Sequence, residues 1–195
     1  MKILLINSEF PPIGGGAGNA SANLARCLAF LGHQVIVLTA AYRDLPREET
    51  LEEVLVYRIP AGRRWMDRSS AFEQLCFVAA ASLAAWRLVR RWNPDVTLAF
   101  FGMPSGAVAW LLKKLFGIPY VVSLRGGDVP GFRPYDFKFY HRLIGPFLHV
   151  IWRDAAAVVA NSTGLRDLAL AFDPGAEIPI VPNMSTPQVW TIAER

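Results

Sequence analysis

Lys2-Ile3-Leu4-Leu5-Ile6-Asn7, followed by Ser8-Glu9-Phe10-Pro11-Pro12-Ile13-Gly14-Gly15-Gly16-Ala17-Gly18-Asn19, is the stretch that decides the fold class. Its first part is a continuous apolar run closed by a polar residue, the pattern of a strand buried on both faces. Its second part is loop punctuation, dense in glycine and proline. Beyond it Ala20, Leu24, Cys27, Leu28 and Leu31 recur at helical spacing, and Gly32 is placed to stop the helix. Val35-Ile36-Val37-Leu38 then reads as a second buried strand. Strand, loop, helix and strand in this order make a βαβ unit.

Outward from that unit the alternation continues. Strands are predicted at 54–59, 95–100, 120–124, 156–160 and 178–181, and helices at 70–92, 104–116, within 125–153 and at 163–172. The expectation is an α/β fold: a Rossmann-like, doubly wound parallel sheet of about seven strands in a single domain. In such sheets ligands bind beyond the carboxyl ends of the strands, where the strand order reverses. The loops after the first, fourth, fifth and sixth predicted strands are therefore the places to look for chemistry.

Composition narrows the class. The chain has 195 residues, 53% hydrophobic and 18% charged, which excludes a disordered chain. Mean hydropathy is +0.28, which raises the question of a membrane span. The uncharged stretch from Leu75 to Trp86 is shorter than the roughly 20 residues a crossing needs, so it reads as a buried helix. The apolar run at the N-terminus is too short for a signal peptide, and Glu9 follows at once. A cytoplasmic protein is expected. Cys27 and Cys76 sit alone among apolar residues and read as small core residues. A net charge of +4 fits an anionic ligand or an anionic membrane surface.

The glycine loop is the strongest chemical clue. Gly14, Gly15, Gly16 and Gly18 let backbone approach a bulky anion, at the start of a helix whose first N–H groups are free. A phosphate or diphosphate is the natural guest. The dinucleotide fingerprint is broken, because Asn19 or Ser21 stands where its third glycine belongs and Thr39-Ala40-Ala41 carries no acid after the second strand. That argues against nicotinamide or flavin chemistry. No Gly-Lys-Ser/Thr follows the loop, so it is not a nucleotide-triphosphate loop either. Glu9 and Asn19 flank the glycines. After the fifth predicted strand, Arg125 offers a fork of donors to phosphate or carboxylate oxygens. Asp128, across Gly126 and Gly127, can accept from ligand hydroxyls or act on one as a base, and is the candidate catalytic residue. Phe101-Gly102-Met103-Pro104 follows the fourth predicted strand and is expected to line a cleft. Asn161 and Ser162 close the sixth, where Ser162 also suits the N-cap of the next helix. His33, His141 and His149 have no metal-ligating company and read as surface or packing residues. No Asp-x-Asp occurs, so no metal-bridged diphosphate is expected. Two basic-aromatic stretches, residues 63–68 and 86–92, combine Trp with Arg as membrane-interface segments do.

Taken in order, these segments resemble retaining glycosyltransferases of family 4, which have the GT-B fold. The resemblance rests on Phe10-Pro11-Pro12-Ile13-Gly14-Gly15-Gly16-Ala17-Gly18, Asn93-Pro94-Asp95-Val96, Ser123-Leu124-Arg125-Gly126-Gly127-Asp128, Val159-Ala160-Asn161-Ser162 and Ile180-Val181-Pro182-Asn183. It implies two Rossmann-like domains facing across a cleft. The N-terminal domain takes the acceptor, with its glycine loop near the donor diphosphate. The C-terminal domain holds the nucleotide sugar and carries a Glu-x7-Glu signature. No metal or other cofactor is implied; the nucleotide-diphosphate sugar is a substrate. The chain departs from that pattern: it has no Glu-x7-Glu, and Met184 replaces the glycine after Asn183. Residues 1–183 are thus expected to be the acceptor-side domain and 184–195 a tail or truncated linker, with the donor-binding domain absent. Expected partners are a sugar or lipid-linked sugar acceptor and a donor-binding domain, in cis or as a separate chain. Peripheral contact with the inner face of the membrane is the further expectation; nucleic acid is not a partner. The competing readings are a non-catalytic subunit that completes a split enzyme, and a nucleotide-binding Rossmann module.

Overall fold

In the computed structural model, residues 1–132 and 134–183 are described, with backbone alone for 134–141. The strands are β1 (Lys2–Ile6), β2 (Gln34–Ala40), β3 (Glu48–Leu51), β4 (Val54–Ile59), β5 (Val96–Phe100), β6 (Tyr120–Ser123) and β7 (Ala157–Val159). The helices are α1 (Gly16–Phe30), α2 (Ala71–Trp92), α3 (Gly106–Phe116), α4 (Pro134–Asp154) and α5 (Thr163–Phe172). The sheet has seven strands in the order β3-β4-β2-β1-β5-β6-β7. All pairs are parallel except the antiparallel edge pair β3–β4.

Alternation along β1 assigns the two faces. Leu4 and Ile6 enter a cluster with Phe77, Ala81, Ala85 and Val89 of α2 and Val108 and Leu112 of α3. Leu5 points the other way, into a cluster with Ala22, Ala25 and Ala29 of α1 and Val37 and Val56 of the sheet. Small residues on α1 let that helix lie close to the strands. A third cluster gathers β6, β7, α4 and α5 around Tyr120, Trp152 and Leu165. The strand order turns back between β1 and β5, so the loops after these two strands part from each other at one edge.

The doubly wound sheet is as expected, with three differences. The seventh strand is β3, a short polar segment whose pairing with β4 comes from tertiary context rather than from any apolar pattern. The stretch 178–181 contributes only a single bridge, Ala160 to Ile180. Finally, α2 is a helix of 22 residues, long and apolar enough by length and composition to cross a membrane, and it is not wholly buried. Its core stripe repeats every fourth residue, while Phe72, Leu75, Leu83 and Trp86 on the opposite side are exposed. Cys27 and Cys76 are half-buried free thiols on the flanks of α1 and α2, outside the core. His33 lies at the opposite end of the sheet, beside the N-terminal amine, and His149 stacks on Phe172 and meets Asp173 at 3.2 Å. The side chain of His141 lies outside the described residues.

Candidate functional site

The loop after β1 is built on Asn7, which is fully buried. Its Nδ2 donates to Ser21 Oγ at 2.9 Å, and its Oδ1 accepts from the Glu9 amide at 3.1 Å. One side chain thus ties the end of β1 to α1. The glycines then divide into two kinds. Gly14 has φ +86°, and a Cβ there would stand 2.6 Å from the Glu9 Cβ; at Gly18 a Cβ would stand 2.9 Å from the Ile13 carbonyl oxygen. These two are required by the path of the chain. Gly15 and Gly16 are exposed, with nothing within 4 Å of where a side chain would go. They open α1 with no side-chain cap and no acidic residue in the first turn, leaving backbone donors at the positive end of the helix.

The loop between β4 and α2 folds over this one. The Gly14 amide donates to the Met66 carbonyl at 2.8 Å. Arg63, whose side chain is almost wholly buried, donates to the carbonyls of Ser8, Trp65 and Met66 and lies 3.7 Å from Glu9. At its far end the loop is held by Glu73, which accepts from the amides of Arg64 and Ser70. These backbone donors hold the Glu73 carboxyl below the ordinary glutamate range.

A wide turn, Phe101–Ser105, follows β5 and begins with Phe101 at φ +73°. A left-handed non-glycine residue costs about 1–3 kcal/mol, which the surrounding structure must offset. Asp128 supplies part of that. It is 2% exposed. Its Oδ2 accepts from the Gly102 amide at 2.6 Å, and its Oδ1 accepts from the amides of Arg125 and Gly126 at 3.0 Å each. Burial pushes its pKa up, against the pull of these N–H donors. The carboxylate therefore clasps the loops after β5 and β6 together.

Arg125 lies over the Phe100 ring with its guanidinium carbon 4.0 Å from the centroid. It donates to Ser123 Oγ at 2.9 Å and to Asn183 Oδ1, and its Nε is buried without an acceptor. Burial lowers its pKa to about 10, so it stays charged at neutral pH. Between these loops lies a cleft of about 300 Å³. Of the residues singled out from sequence, Glu9, Phe101, Gly127 and Asp128 line it. Met103 and Pro104 of the segment predicted with Phe101 line it too, whereas Ser8, Asp67, Arg68, Ser69 and Gln74 line it and carried no sequence signal as site residues. Gly14, Gly15, Gly16, Gly18, Asn19, Arg125, Gly126, Asn161 and Ser162 are not part of its wall. Gly126 lies against the Phe132 ring, and Asn19 is exposed on the first turn of α1. Ser162 caps α5 by accepting from the Leu165 amide at 3.4 Å, and Asn161 stands beside it past the end of β7. Among the described residues no three His, Cys, Asp or Glu side chains gather as a metal site.

By fold the molecule is a Rossmann-like α/β domain of the GT-B type, with a bare glycine loop and a cleft of mixed polar and apolar lining at the point where the strand order reverses. The family model of the glycosyl transferase 4-like domain matches residues 15–184, and the chain belongs to that family. It is 28% identical over 194 residues to a putative teichuronic acid biosynthesis glycosyltransferase, TuaC, of Bacillus subtilis, covering 87% of this chain and 46% of that protein. It is 24% identical to the glycogen synthase of Mycobacterium tuberculosis, covering 100% of this chain and 51% of that protein. The chain thus spans about half the length of these relatives. Among solved structures, sucrose-phosphate synthase from Thermosynechococcus elongatus superposes with a TM-score of 0.74 at 19% identity, over 93% of this chain and 48% of that one.

Proposed function

We propose that this chain is the acceptor-binding, N-terminal half of a retaining glycosyltransferase that uses a nucleotide-diphosphate sugar, and that it transfers no sugar alone. The observation that carries the reading is the pair Gly15 and Gly16: open, uncapped backbone at a helix start, on a loop whose Ser8 and Glu9 line a cleft of about 300 Å³. The donor's diphosphate meets those amides, brought by a donor-binding domain in cis or on a separate chain. The acceptor sugar lies in the cleft, where Glu9, Asp67 and Arg68 can hydrogen-bond hydroxyls and Phe101 and Met103 give apolar contact. Asp128 spends its lone pairs on backbone donors, so its proposed role is to position the Phe101 and Gly127 walls rather than to take a proton. Arg125 serves as a fixed positive charge behind them.

Incubated with UDP-, GDP- and ADP-hexoses and a panel of sugar acceptors, the 195-residue chain is expected to form no glycoside. In amide NMR spectra, added pyrophosphate is expected to move the Gly15 and Gly16 signals first. Turnover by the chain alone overturns the half-enzyme reading, and unmoved glycine signals overturn the assignment of the loop.

A lipid-linked acceptor, met at the inner face of a membrane by a cytoplasmic enzyme, is the second reading. It is favoured by the exposed apolar stripe of α2, which starts within a few residues of the cleft wall at Asp67, Arg68 and Ser69.

A further inference from the structure

A second and larger concavity runs along β2 and β4, from Gln34 at the amino end of β2 to Ile59 at the carboxyl end of β4. It is a groove of about 850 Å³ between the flank of α2 and the β2–β4 side of the sheet, within the range of small-molecule sites. The sheet there has no crossover helix of its own: β2 and β4 are neighbours and parallel, yet the chain joins them through the β3 edge strand. The floor is therefore left open at Leu55, and Leu88 on the facing helix is likewise only half-buried.

The rim is charged. Arg87 and Arg91 stand one helical turn apart on α2, both exposed, and neither has a carboxylate partner among the described residues. Two like charges at this spacing repel each other on a helix, and one bound carboxylate would relieve both. Arg91 and Tyr57 both line the groove, one from the helix and the other from the sheet. The other charges of the groove are mixed: Arg58 is paired with Glu49, Arg47 is exposed, and two carboxylates limit what can bind. Glu48 already accepts from the Tyr57 hydroxyl at 3.2 Å, and Glu53 adds a second negative charge. A polyphosphate or nucleic acid would meet these carboxylates, whereas a single negative charge placed at the arginines avoids them.

We propose that this groove binds a monoanionic amphiphile from solution, its one carboxylate held by Arg87 and Arg91 and its apolar body laid on Leu55 and Leu88. An arginine fork suits a carboxylate in two-point contact. The apolar floor supplies affinity that a bare anion would not gain. The groove and the proposed acceptor cleft share no lining residue, so the two stand or fall separately.

Calorimetric titration of the full chain with sodium decanoate below its micellar range tests this. One saturable site is expected, with acetate binding undetectably in the same range. Arg87→Gln with Arg91→Gln is expected to weaken decanoate about tenfold, equal to about 1.4 kcal/mol. Leu55→Glu is expected to abolish binding, because it sets a carboxylate on the floor. Leu83→Glu, on the exposed stripe of the same helix, is expected to leave it unchanged. Thermal unfolding of each variant confirms that it is folded. The proposal is overturned by absence of saturable binding, by equal affinity in the double arginine variant, by loss of binding in Leu83→Glu, or by association with anionic vesicles but not with monomeric decanoate.

Discussion

Asp128, picked out by sequence as a candidate catalytic residue, has both carboxylate oxygens engaged by backbone donors in the structure. A carboxylate after a strand, beside glycines, reads as a base or a sugar ligand; in the structure it closes three backbone hydrogen bonds across two loops. Replacing it by Asn keeps one acceptor and turns an amide donor toward N–H groups that need acceptors. Each hydrogen bond to a charged group contributes about 1.5–3 kcal/mol, so Asp128→Asn is expected to lower the unfolding free energy in urea by about 2–4 kcal/mol. The amide signals of Gly102, Arg125 and Gly126 are expected to move together. A loss below about 0.5 kcal/mol, the range of ordinary surface changes, would show that the clasp contributes nothing. The glycines were legible because their conformational freedom is a property of the residue itself. Asn7, Arg63, Asp67 and Arg68 were not legible as site residues, because their roles depend on the β4–α2 loop folding over the β1 loop. Nothing local in the sequence encodes that juxtaposition.

At the level of elements, α2 sets the position of that loop. Ser70 and Glu73 form a reciprocal cap, with the Ser70 hydroxyl accepting from the Glu73 amide at 3.2 Å and the Glu73 carboxylate accepting from the Ser70 amide at 2.7 Å. Such a box contributes about 1 kcal/mol. The carboxyl of Glu73 is held below its ordinary value of 4.5 by these backbone donors. Its folded pKa is depressed, so its charge contributes stability above pH 4.5, and that contribution is lost as pH falls through the lower folded value. Glu73→Gln is therefore expected to be about 1 kcal/mol less stable than the parent at neutral pH. The gap should close as both proteins are titrated below pH 4.5, and a pH-independent gap in urea midpoints would contradict this assignment. The end of α1 was readable because Gly32 is a local stop signal, and it takes φ +82° there. The β3 edge strand was not readable, since Glu48, Glu49 and Thr50 have no apolar alternation and are ordered by pairing with β4.

Across the whole molecule, the net charge of +4 and the outer face of α2 act in the same direction. Phe72 is 71% exposed, Leu75 63% and Leu83 52%, and Trp86 continues the line. A soluble partner-free helix would have polar residues there. At either end of the stripe an arginine rests on a tryptophan: Arg68 lies 4.7 Å from the Trp65 ring centroid and Arg90 lies 4.5 Å from that of Trp86. Tryptophan and arginine side by side suit the boundary between lipid tails and head groups. An amphipathic helix lying in that plane gains from its apolar area and from attraction of about 1 kcal/mol per arginine to anionic lipid. The chain is therefore expected to sediment with phosphatidylglycerol vesicles and to stay in solution with phosphatidylcholine vesicles, and added salt should release it. Leu75→Glu with Leu83→Glu is expected to abolish sedimentation while leaving the thermal midpoint unchanged, because neither side chain supports the core. That unchanged midpoint separates a docking surface from a merely structural one. If the parent chain ignores anionic vesicles, the stripe has some other covering, and the lipid-linked acceptor loses its support while the glycine loop and cleft keep theirs.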